Sequence, residues 1–139
     1  MRVNRTQQRQ AIYEVLMHAP GPLCTQEIHD AAAREIPQLG IATVYRTINL
    51  LLEQGQIQAV TIGSKDIRYE PANREHHHHF LCRVCNTVYD MPCIHSSMSQ
   101  MLPEGFSMDE HEIIIRGTCS KCIDKQNKDA KPKQDKDPS

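Results

Sequence analysis

Two cysteine pairs carry the clearest chemical signal in this sequence. Two residues separate Cys82 from Cys85, and the same spacing recurs at Cys119 and Cys122. Four thiolates from two such pairs form the closed, tetrahedral ligand set of structural zinc sites. A redox dithiol is the alternative, but two pairs are present and no thioredoxin-like pattern surrounds them. The sequence therefore predicts a structural zinc held by the four cysteines.

Four consecutive histidines, residues 76–79, come just before the first cysteine pair. Expression tags of this composition stand at chain ends, whereas this run is internal. The apolar residues that follow favour extended backbone, in which successive side chains point to opposite faces. His76 and His78 would then face one way. His77 and His79 would face the other, so that one stretch serves two different metal centres.

Three other side chains are weaker ligand candidates. Glu70 stands where a predicted strand ends, His95 begins a predicted short helix, and His111 precedes a predicted strand. Each is a surface residue in the simpler interpretation, but the neighbouring histidines make ligation equally plausible. Cys24 and Cys93 are unpaired by spacing, and we interpret them as small buried hydrophobes, with Cys93 a weak ligand candidate.

Composition limits what else the chain can be. Its 139 residues include no Trp and only two Phe, so aromatic burial cannot carry its stability and a structural metal would compensate. No apolar run reaches the length of a membrane span, and no signal peptide precedes the first helix. We therefore expect a cytoplasmic protein whose cysteines bind metal. A formal net charge of −1 gives no sign of nucleic-acid binding by itself.

The first 70 residues are predicted to hold three helices and a β-hairpin. Apolar residues at helical spacing mark helices at about 6–18, 25–36 and 41–54, with Thr6 and Thr25 as N-caps. The apolar period then changes to two, which predicts a hairpin. This order is the plan of a winged helix, a helix-turn-helix variant with an added β-wing.

The third helix has a face of hydrogen-bonding groups opposite its apolar stripe. These groups are hydroxyls, an amide, a phenol and a guanidinium, from Thr43, Tyr45, Arg46, Thr47 and Asn49. Such a face could lie in a major groove, where these groups contact base edges and phosphates. On these residues alone, an ordinary solvated helix face is the alternative.

The whole chain is predicted to have an α+β fold in two domains. Residues 1–70 form a winged-helix DNA-binding domain, residues 71–75 a hinge, and residues 76–123 a metal-binding domain with short strands and a short helix at 95–102. Residues 124–139 are rich in Lys, Asp, Gln and Pro without an apolar period, so we expect a disordered tail.

The sequence resembles the ferric uptake regulator family of bacterial metal-responsive repressors over about residues 3–123. The segments that carry the resemblance are Arg5-Thr6-x-x-Arg9, Ala42-Thr43-Val44-Tyr45-Arg46, the block from His76 to Cys85, and Gly117-x-Cys119-x-x-Cys122. The resemblance implies a homodimer in which an N-terminal winged helix is joined to an α/β dimerisation domain. It also implies double-stranded DNA with an inverted repeat as the partner, and neither a membrane nor a small-molecule substrate.

Site residues are carried over from the family position by position. The resemblance implies a sensing site at the hinge, made by Glu70, His77 and His79. It implies a second site in the dimerisation domain, made by His76, His78 and His111 with His95 as a possible fourth ligand. At the DNA it implies Tyr45 and Arg46 on the recognition helix, and Arg5 near the backbone or minor groove.

The residues of the histidine run and of the second site bear on which metal the protein senses. The unbroken histidine run is most like the zinc-sensing branch, and a second site without carboxylate also suits Zn²⁺. Fe²⁺ or Mn²⁺ at the regulatory site is the alternative. A peroxide sensor is less favoured, because Leu23 stands where iron- and peroxide-sensing members supply a histidine.

Two other classes of protein compete with a repressor. A zinc hydrolase would need an open coordination position and a placed base, and the sequence has no His-Glu-x-x-His motif. We therefore predict that the protein is not an enzyme. A metal buffer or delivery protein would need the ligands but not the winged helix.

Overall fold

The computed structural model describes residues 3–63, 66–94 and 98–134, and within them the protein is α+β as predicted. The first part of the chain forms helices α1 (Arg5–Met17), α2 (Thr25–Ala33) and α3 (Ile41–Glu53) and strands β1 (Ile57–Ile62) and β2 (Asp66–Pro71). The second part forms strands β3 (His77–Cys82), β4 (Val88–Pro92) and β5 (Ile114–Gly117) and helix α4 (Ser120–Gln134).

Helices α1 to α3 pack around one apolar core. Ile12, Ile28 and Val44, one from each helix, are fully buried there. Burying such side chains contributes about 1.5–3 kcal/mol each, which is why three short helices suffice. Strands β1 and β2 form an antiparallel pair, so the predicted three helices and wing are confirmed.

Both predicted helix N-caps were wrong by one or two residues. Asn4 caps α1, because its side chain accepts the Gln7 N–H at 2.8 Å and the Gln7 side chain accepts the Asn4 N–H at 3.0 Å. This reciprocal pair satisfies two N–H groups, whereas Thr6 lies inside the helix. Thr25 is likewise the first helical residue of α2, and Cys24 occupies the N-cap position.

The histidine run lies in the central strand of the second sheet. The strand order is β4-β3-β5, with β3 antiparallel to β4 and parallel to β5. The predicted extended backbone is therefore confirmed, although the strand begins at His77. The predicted last strand also forms, but it starts at Ile114 rather than at Glu112. A central strand presents both faces to other parts of the protein, which positions the side chains discussed below.

The C-terminal segment differs from the predicted disorder. Helix α4 continues to Gln134, although every residue from 124 to 130 is exposed. Lys, Gln and Ala have high intrinsic helix propensity, so the helix can continue from its buried start without further packing. The sequence predicted disorder because this segment has no apolar stripe that could pack against the rest of the protein. Residues 135–139 of the predicted tail, and His95 to Ser97 of the predicted short helix, lie outside the described residues.

Candidate metal centres

Three groups of side chains bring potential ligand atoms within 4.8 Å of one another. The cysteine cluster is Cys82, Cys85, Cys119 and Cys122. The hinge cluster is Glu70, His77, His79 and Asp90. The second cluster is His76, His78, Cys93 and His111. All three take ligands from β3 or from the residue beside it, so this one strand organises every candidate centre in the described part of the chain.

The cysteine cluster has the dimensions of a structural zinc site. Cys82 ends β3 and Cys85 follows in the turn, while Cys119 directly precedes α4 and Cys122 lies in its first turn. The Sγ atoms of Cys82 and Cys122 are 3.8 Å apart, as are those of Cys85 and Cys119. A tetrahedron with Zn–S bonds of about 2.3 Å has edges of about 3.8 Å. The four thiols therefore fit one zinc ion.

Local hydrogen bonds prepare two of these sulfurs to bind metal. The backbone N–H groups of Cys85 and Cys119 donate to Cys82 Sγ, which lowers the pKa of Cys82 to about 6. The backbone N–H of Cys122 lowers the pKa of Cys119. Burial instead raises the pKa of Cys122 to about 12. Zinc must therefore displace at least one firmly held proton, and its affinity rises with pH.

The hinge cluster joins the wing to the second sheet. Glu70 comes from β2, and its Oε1 lies 3.1 Å from His77 Nε2 and 3.5 Å from His79 Nε2. Asp90 comes from β4, and its Oδ1 lies 3.6 Å from each of the same two nitrogens. The structure thus brings together the three residues that the family resemblance implied.

Asp90 was missed in the sequence, where nothing distinguishes it from a surface acid. It faces His79 directly in the β3–β4 register, so only the pairing of these strands identifies it. Its Oδ2 accepts a hydrogen bond from Arg74 at 2.5 Å. Its Oδ1 is buried and, among the described residues, accepts no hydrogen bond. A buried carboxylate oxygen in this state is costly, and a cation between two carboxylates and two imidazoles would satisfy it.

Glu70 is held as a carboxylate although it is buried. Burial alone would raise its pKa, but hydrogen bonds from His79, Gln58 and His77 outweigh that effect and lower the pKa to about 2. Gln58 Nε2 donates to the other carboxylate oxygen at 2.8 Å. At neutral pH the cluster therefore presents an ionised, oriented oxygen ligand.

A separate set of contacts closes the two domains on each other beside this cluster. Arg68, only 1% exposed, donates to Glu27 at 2.6 Å, to the Pro22 carbonyl oxygen at 3.2 Å and to the Asn86 carbonyl oxygen at 2.9 Å. The last of these acceptors belongs to the second domain. Gly21 packs so closely on β4 that a Cβ atom there would collide with the Val88 carbonyl group.

The second cluster occupies the other face of β3. His76 Nε2 lies 3.2 Å from His111 Nε2, and the rings of His76, His78 and His111 have centroids 4.6–4.9 Å apart. Burial first, and then the neighbouring imidazoles His76 and His111, lower the pKa of His78, which favours the neutral ring. The division of the four histidines between two clusters is the one that strand alternation predicts. His95 lies outside the described residues.

The hydrogen-bonding face of α3 is largely exposed. Tyr45 is 54% exposed, and Arg46 and Asn49 are also exposed. Arg46 donates to Thr43 at 3.2 Å. Thr47 does not belong to this face, because it is buried with the apolar stripe.

A cleft of about 330 Å³ separates this face from α1. Its lining residues are Arg5, Gln8, Arg9, Thr43, Arg46 and Thr47. Three guanidinium groups around one cleft suit a phosphate, since arginine binds phosphate oxygens in a two-pronged geometry. Arg9 was not among the DNA-binding residues predicted from the sequence. It appeared there only in the segment Arg5-Thr6-x-x-Arg9 that carries the family resemblance.

Comparisons with known proteins agree with this architecture. A family model described as "Ferric uptake regulator family" matches residues 1–116. The chain is 32% identical over 128 residues to the ferric uptake regulation protein of Campylobacter jejuni, covering 88% of this chain and 82% of that protein. It is 28% identical over 129 residues to the peroxide operon regulator of Bacillus subtilis, covering 90% and 88%.

Solved structures give the same fold. A zinc-bound manganese uptake regulator superposes with a TM-score of 0.72 at 24% identity, covering 86% of this chain and 91% of that one. At this identity the likeness concerns the fold alone. No helix among the described residues has the length and apolar character needed to cross a bilayer.

Proposed function

The chain belongs to the ferric uptake regulator family, and from this premise we propose that it is a zinc-sensing repressor that controls metal uptake genes. As a member of that family it is a dimeric, DNA-binding, metal-responsive transcriptional regulator, and it is not an enzyme. The identity of the sensed metal, the residues that bind it and the form of the operator are the proposed parts.

The hinge cluster is the observation that carries the proposal. Glu70 belongs to the wing of the DNA-binding domain, whereas His77, His79 and Asp90 belong to the second sheet. A metal ion at this position would supply the positive charge that holds both carboxylates beside the imidazoles. A ligand set split between domains couples metal binding to the angle between them, since the domains must approach for all four residues to bind.

In a homodimer this angle sets the separation of the two recognition helices. Helix-turn-helix dimers bind half-sites about one helical turn apart, so only some domain angles match an inverted repeat. Tyr45, Arg46 and Asn49 would contact base edges, with Thr43 and Arg5 at the backbone. The net charge of −1 supports such a switch, because weak general attraction to DNA leaves affinity dependent on correct docking.

The number of ligands favours zinc as the sensed metal. The hinge cluster offers four ligand residues in the described part of the chain. Leu23, at the position where iron-sensing members supply a histidine, is buried and pairs with Tyr69 through two backbone hydrogen bonds. Leu23 packs in the apolar core of the helices and supplies no ligand atom. Four ligands without a fifth suit zinc, which prefers tetrahedral coordination.

Iron(II) is the second candidate, and the two carboxylates favour it. Oxygen ligands suit harder ions such as iron(II) and manganese(II) better than thiolates do. The relationship to the C. jejuni ferric uptake regulation protein also supports this alternative. For either metal we place the protein in the cytoplasm, with the bacterial chromosome.

The test is metal-dependent DNA binding at buffered free metal concentrations. Operator DNA is first selected from a random pool by zinc-loaded protein and, separately, by iron(II)-loaded protein, so that no sequence is assumed. Fluorescence anisotropy then measures binding with zinc, iron(II), manganese(II) or chelator. We expect zinc to act at the lowest free concentration. DNA binding that no metal changes would contradict the proposal, and the absence of DNA binding with every metal would favour a metal buffer or delivery protein.

A further inference from the structure

The second cluster contains a cysteine in the place where the sequence led us to expect His95. Cys93 follows β4 directly, and its Sγ lies 3.2 Å from His111 Nε2. The same His111 nitrogen is 3.2 Å from His76 Nε2. Two imidazole nitrogens and one sulfur therefore converge on one point at separations close to the edges of a small tetrahedral site.

The strand register explains why Cys93 reaches this cluster. His77 pairs with Pro92 and His79 with Asp90 across the antiparallel β3–β4 ladder. Continued by one residue, the register sets Cys93 opposite His76. Cross-strand partners share a face of a sheet, so Cys93 lies with the second cluster and away from the hinge cluster.

A second feature of the cluster independently indicates a missing ligand. His78 is 2% exposed, and its Nε2 has no hydrogen-bond partner among the described residues. Its Nδ1 accepts the Ile113 N–H at 3.2 Å. A buried polar nitrogen without a partner is costly, and such atoms in native proteins are usually satisfied by a ligand or water.

An open cavity gives access to the cluster. It has a volume of about 590 Å³, and both His76 and Cys93 line it. A cation could therefore enter from solvent without opening the sheet.

We propose that Cys93 binds as a thiolate and completes the second centre with His76, His78 and His111, so that this centre selects zinc over manganese(II) and iron(II). The Cys93 thiol releases its proton to solvent when the sulfur binds the cation. Thiolate is a soft ligand that favours zinc, whereas carboxylate in its place would favour harder ions. The inference deepens the proposed zinc response and rests on that function for its biological meaning, but the chemistry of the centre does not depend on DNA binding.

The four ligands are not equivalent. While His78 Nδ1 accepts the Ile113 N–H, the ring proton lies on Nε2, so binding a cation through either nitrogen would cost the Ile113 hydrogen bond. Cys93 Sγ instead contacts His111 Nε2, so the contact that it gives up on binding a cation lies within the centre itself. Replacing His78 should therefore weaken the centre less than replacing Cys93.

Cobalt(II) is the probe that distinguishes this centre from the others. The full-length protein is first loaded with one zinc ion per chain, which fills the four-cysteine site, and is then titrated with cobalt(II). The hinge cluster has no sulfur ligand, so near-ultraviolet sulfur-to-cobalt charge-transfer absorption at this stage reports a thiolate at the second centre. We expect this absorption in the wild-type protein and its loss in Cys93→Ser.

Matched variants complete the test. Cys24→Ser removes the other unpaired cysteine and should leave the absorption unchanged. In Cys93→Ser, one zinc ion per chain should remain, which shows that the fold is intact, while zinc affinity at the second centre falls at least about tenfold. Absence of the absorption in the wild type, or its persistence in Cys93→Ser, would overturn the inference. Because no DNA is present, failure here is separate from failure of the proposed repressor function.

Discussion

The cysteine cluster and the hinge cluster share β3, yet they differ in where their ligands come from. The cysteine cluster takes its four thiols from the end of β3 and the start of α4, within one domain. The hinge cluster takes Glu70 from the wing and its other residues from the second sheet. A centre within one domain can stabilise that domain, whereas a centre between domains can also respond to their relative position.

The two clusters also differ in how well they are satisfied without metal. Burial raises the pKa of Cys122 to about 12, so a metal that binds the cysteine cluster must displace a firmly held proton. In the hinge cluster Glu70 is already ionised and hydrogen-bonded to two histidines and Gln58, whereas Asp90 Oδ1 has no hydrogen-bond partner among the described residues. We therefore expect a metal in the cysteine cluster to be permanent, and a metal in the hinge cluster to leave without unfolding the protein.

Loss of the structural zinc should have the largest effect. Replacing Cys82 by Ser removes the sulfur that accepts two backbone N–H groups and whose pKa is lowered to about 6. Structural zinc contributes apparent free energies of about 10–16 kcal/mol in small domains, so the second domain should unfold or the dimer should dissociate. Metal content and sedimentation velocity measure both effects. A stable Cys82→Ser dimer that keeps its full zinc would contradict this assignment.

Loss of the Arg68 contacts should have the next largest effect on stability. Arg68→Met removes the buried guanidinium and leaves Glu27 and the Asn86 carbonyl oxygen without it. Breaking a buried charge pair in this way costs about 3–5 kcal/mol, a value that the partial exposure of Glu27 should reduce. We expect a lower denaturation midpoint and weaker zinc-dependent DNA binding, with structural zinc retained. The exposed Arg34→Met is the control, and equal effects from both variants would argue against a specific role for Arg68.

Closing of the domains can be weakened without touching any charge. Gly21→Ala would place a Cβ atom against the Val88 backbone, and overpacking of this kind costs about 1–3 kcal/mol. The collision disappears if the domains separate, so the variant should bind operator DNA less tightly at a given free zinc concentration. Gly40→Ala is the matched control, since nothing lies within 4 Å of a Cβ atom there. Unchanged DNA binding in Gly21→Ala would show that this contact does not help to set the domain angle.

The smallest effect on stability should come from the hinge cluster itself. Glu70→Gln keeps the shape of the side chain but removes the charge, so folding and structural zinc should be nearly unaffected. The free zinc concentration needed for half-maximal DNA binding should rise at least about tenfold, because an anionic ligand is lost. Glu104→Gln, at an exposed position, is the control. A Glu70→Gln protein with the wild-type zinc response would exclude Glu70 as a sensing ligand.

Features set by local spacing were predictable from the sequence, and features set by strand pairing were not. The Cys-x-x-Cys pairs and the alternation of the histidines depend on residues close together in the chain. Asp90 and Cys93 join their clusters only through the β3–β4 register. The sequence does not encode that register in any local pattern.

Burial of polar residues was the other source of error. Thr47 was predicted on the hydrogen-bonding face of the third helix but is buried, and nothing in the sequence marked Arg68 as a buried residue. Arg68 is buried because acceptors from three separate segments surround it, and such a site exists only once the domains have met. Conversely, α4 extends without burial, where the absence of an apolar pattern predicted disorder.

The most direct test of separate metal centres on the two faces of β3 compares two double variants of the histidine run. Zinc-dependent operator binding is measured for His77→Ala/His79→Ala and for His76→Ala/His78→Ala, with structural zinc counted in both. We expect the first pair of substitutions to abolish the zinc response. The second pair should keep a zinc response but lose the sulfur-to-cobalt absorption or have it strongly weakened. Identical losses in the two proteins would show that the two faces of β3 do not serve separate centres.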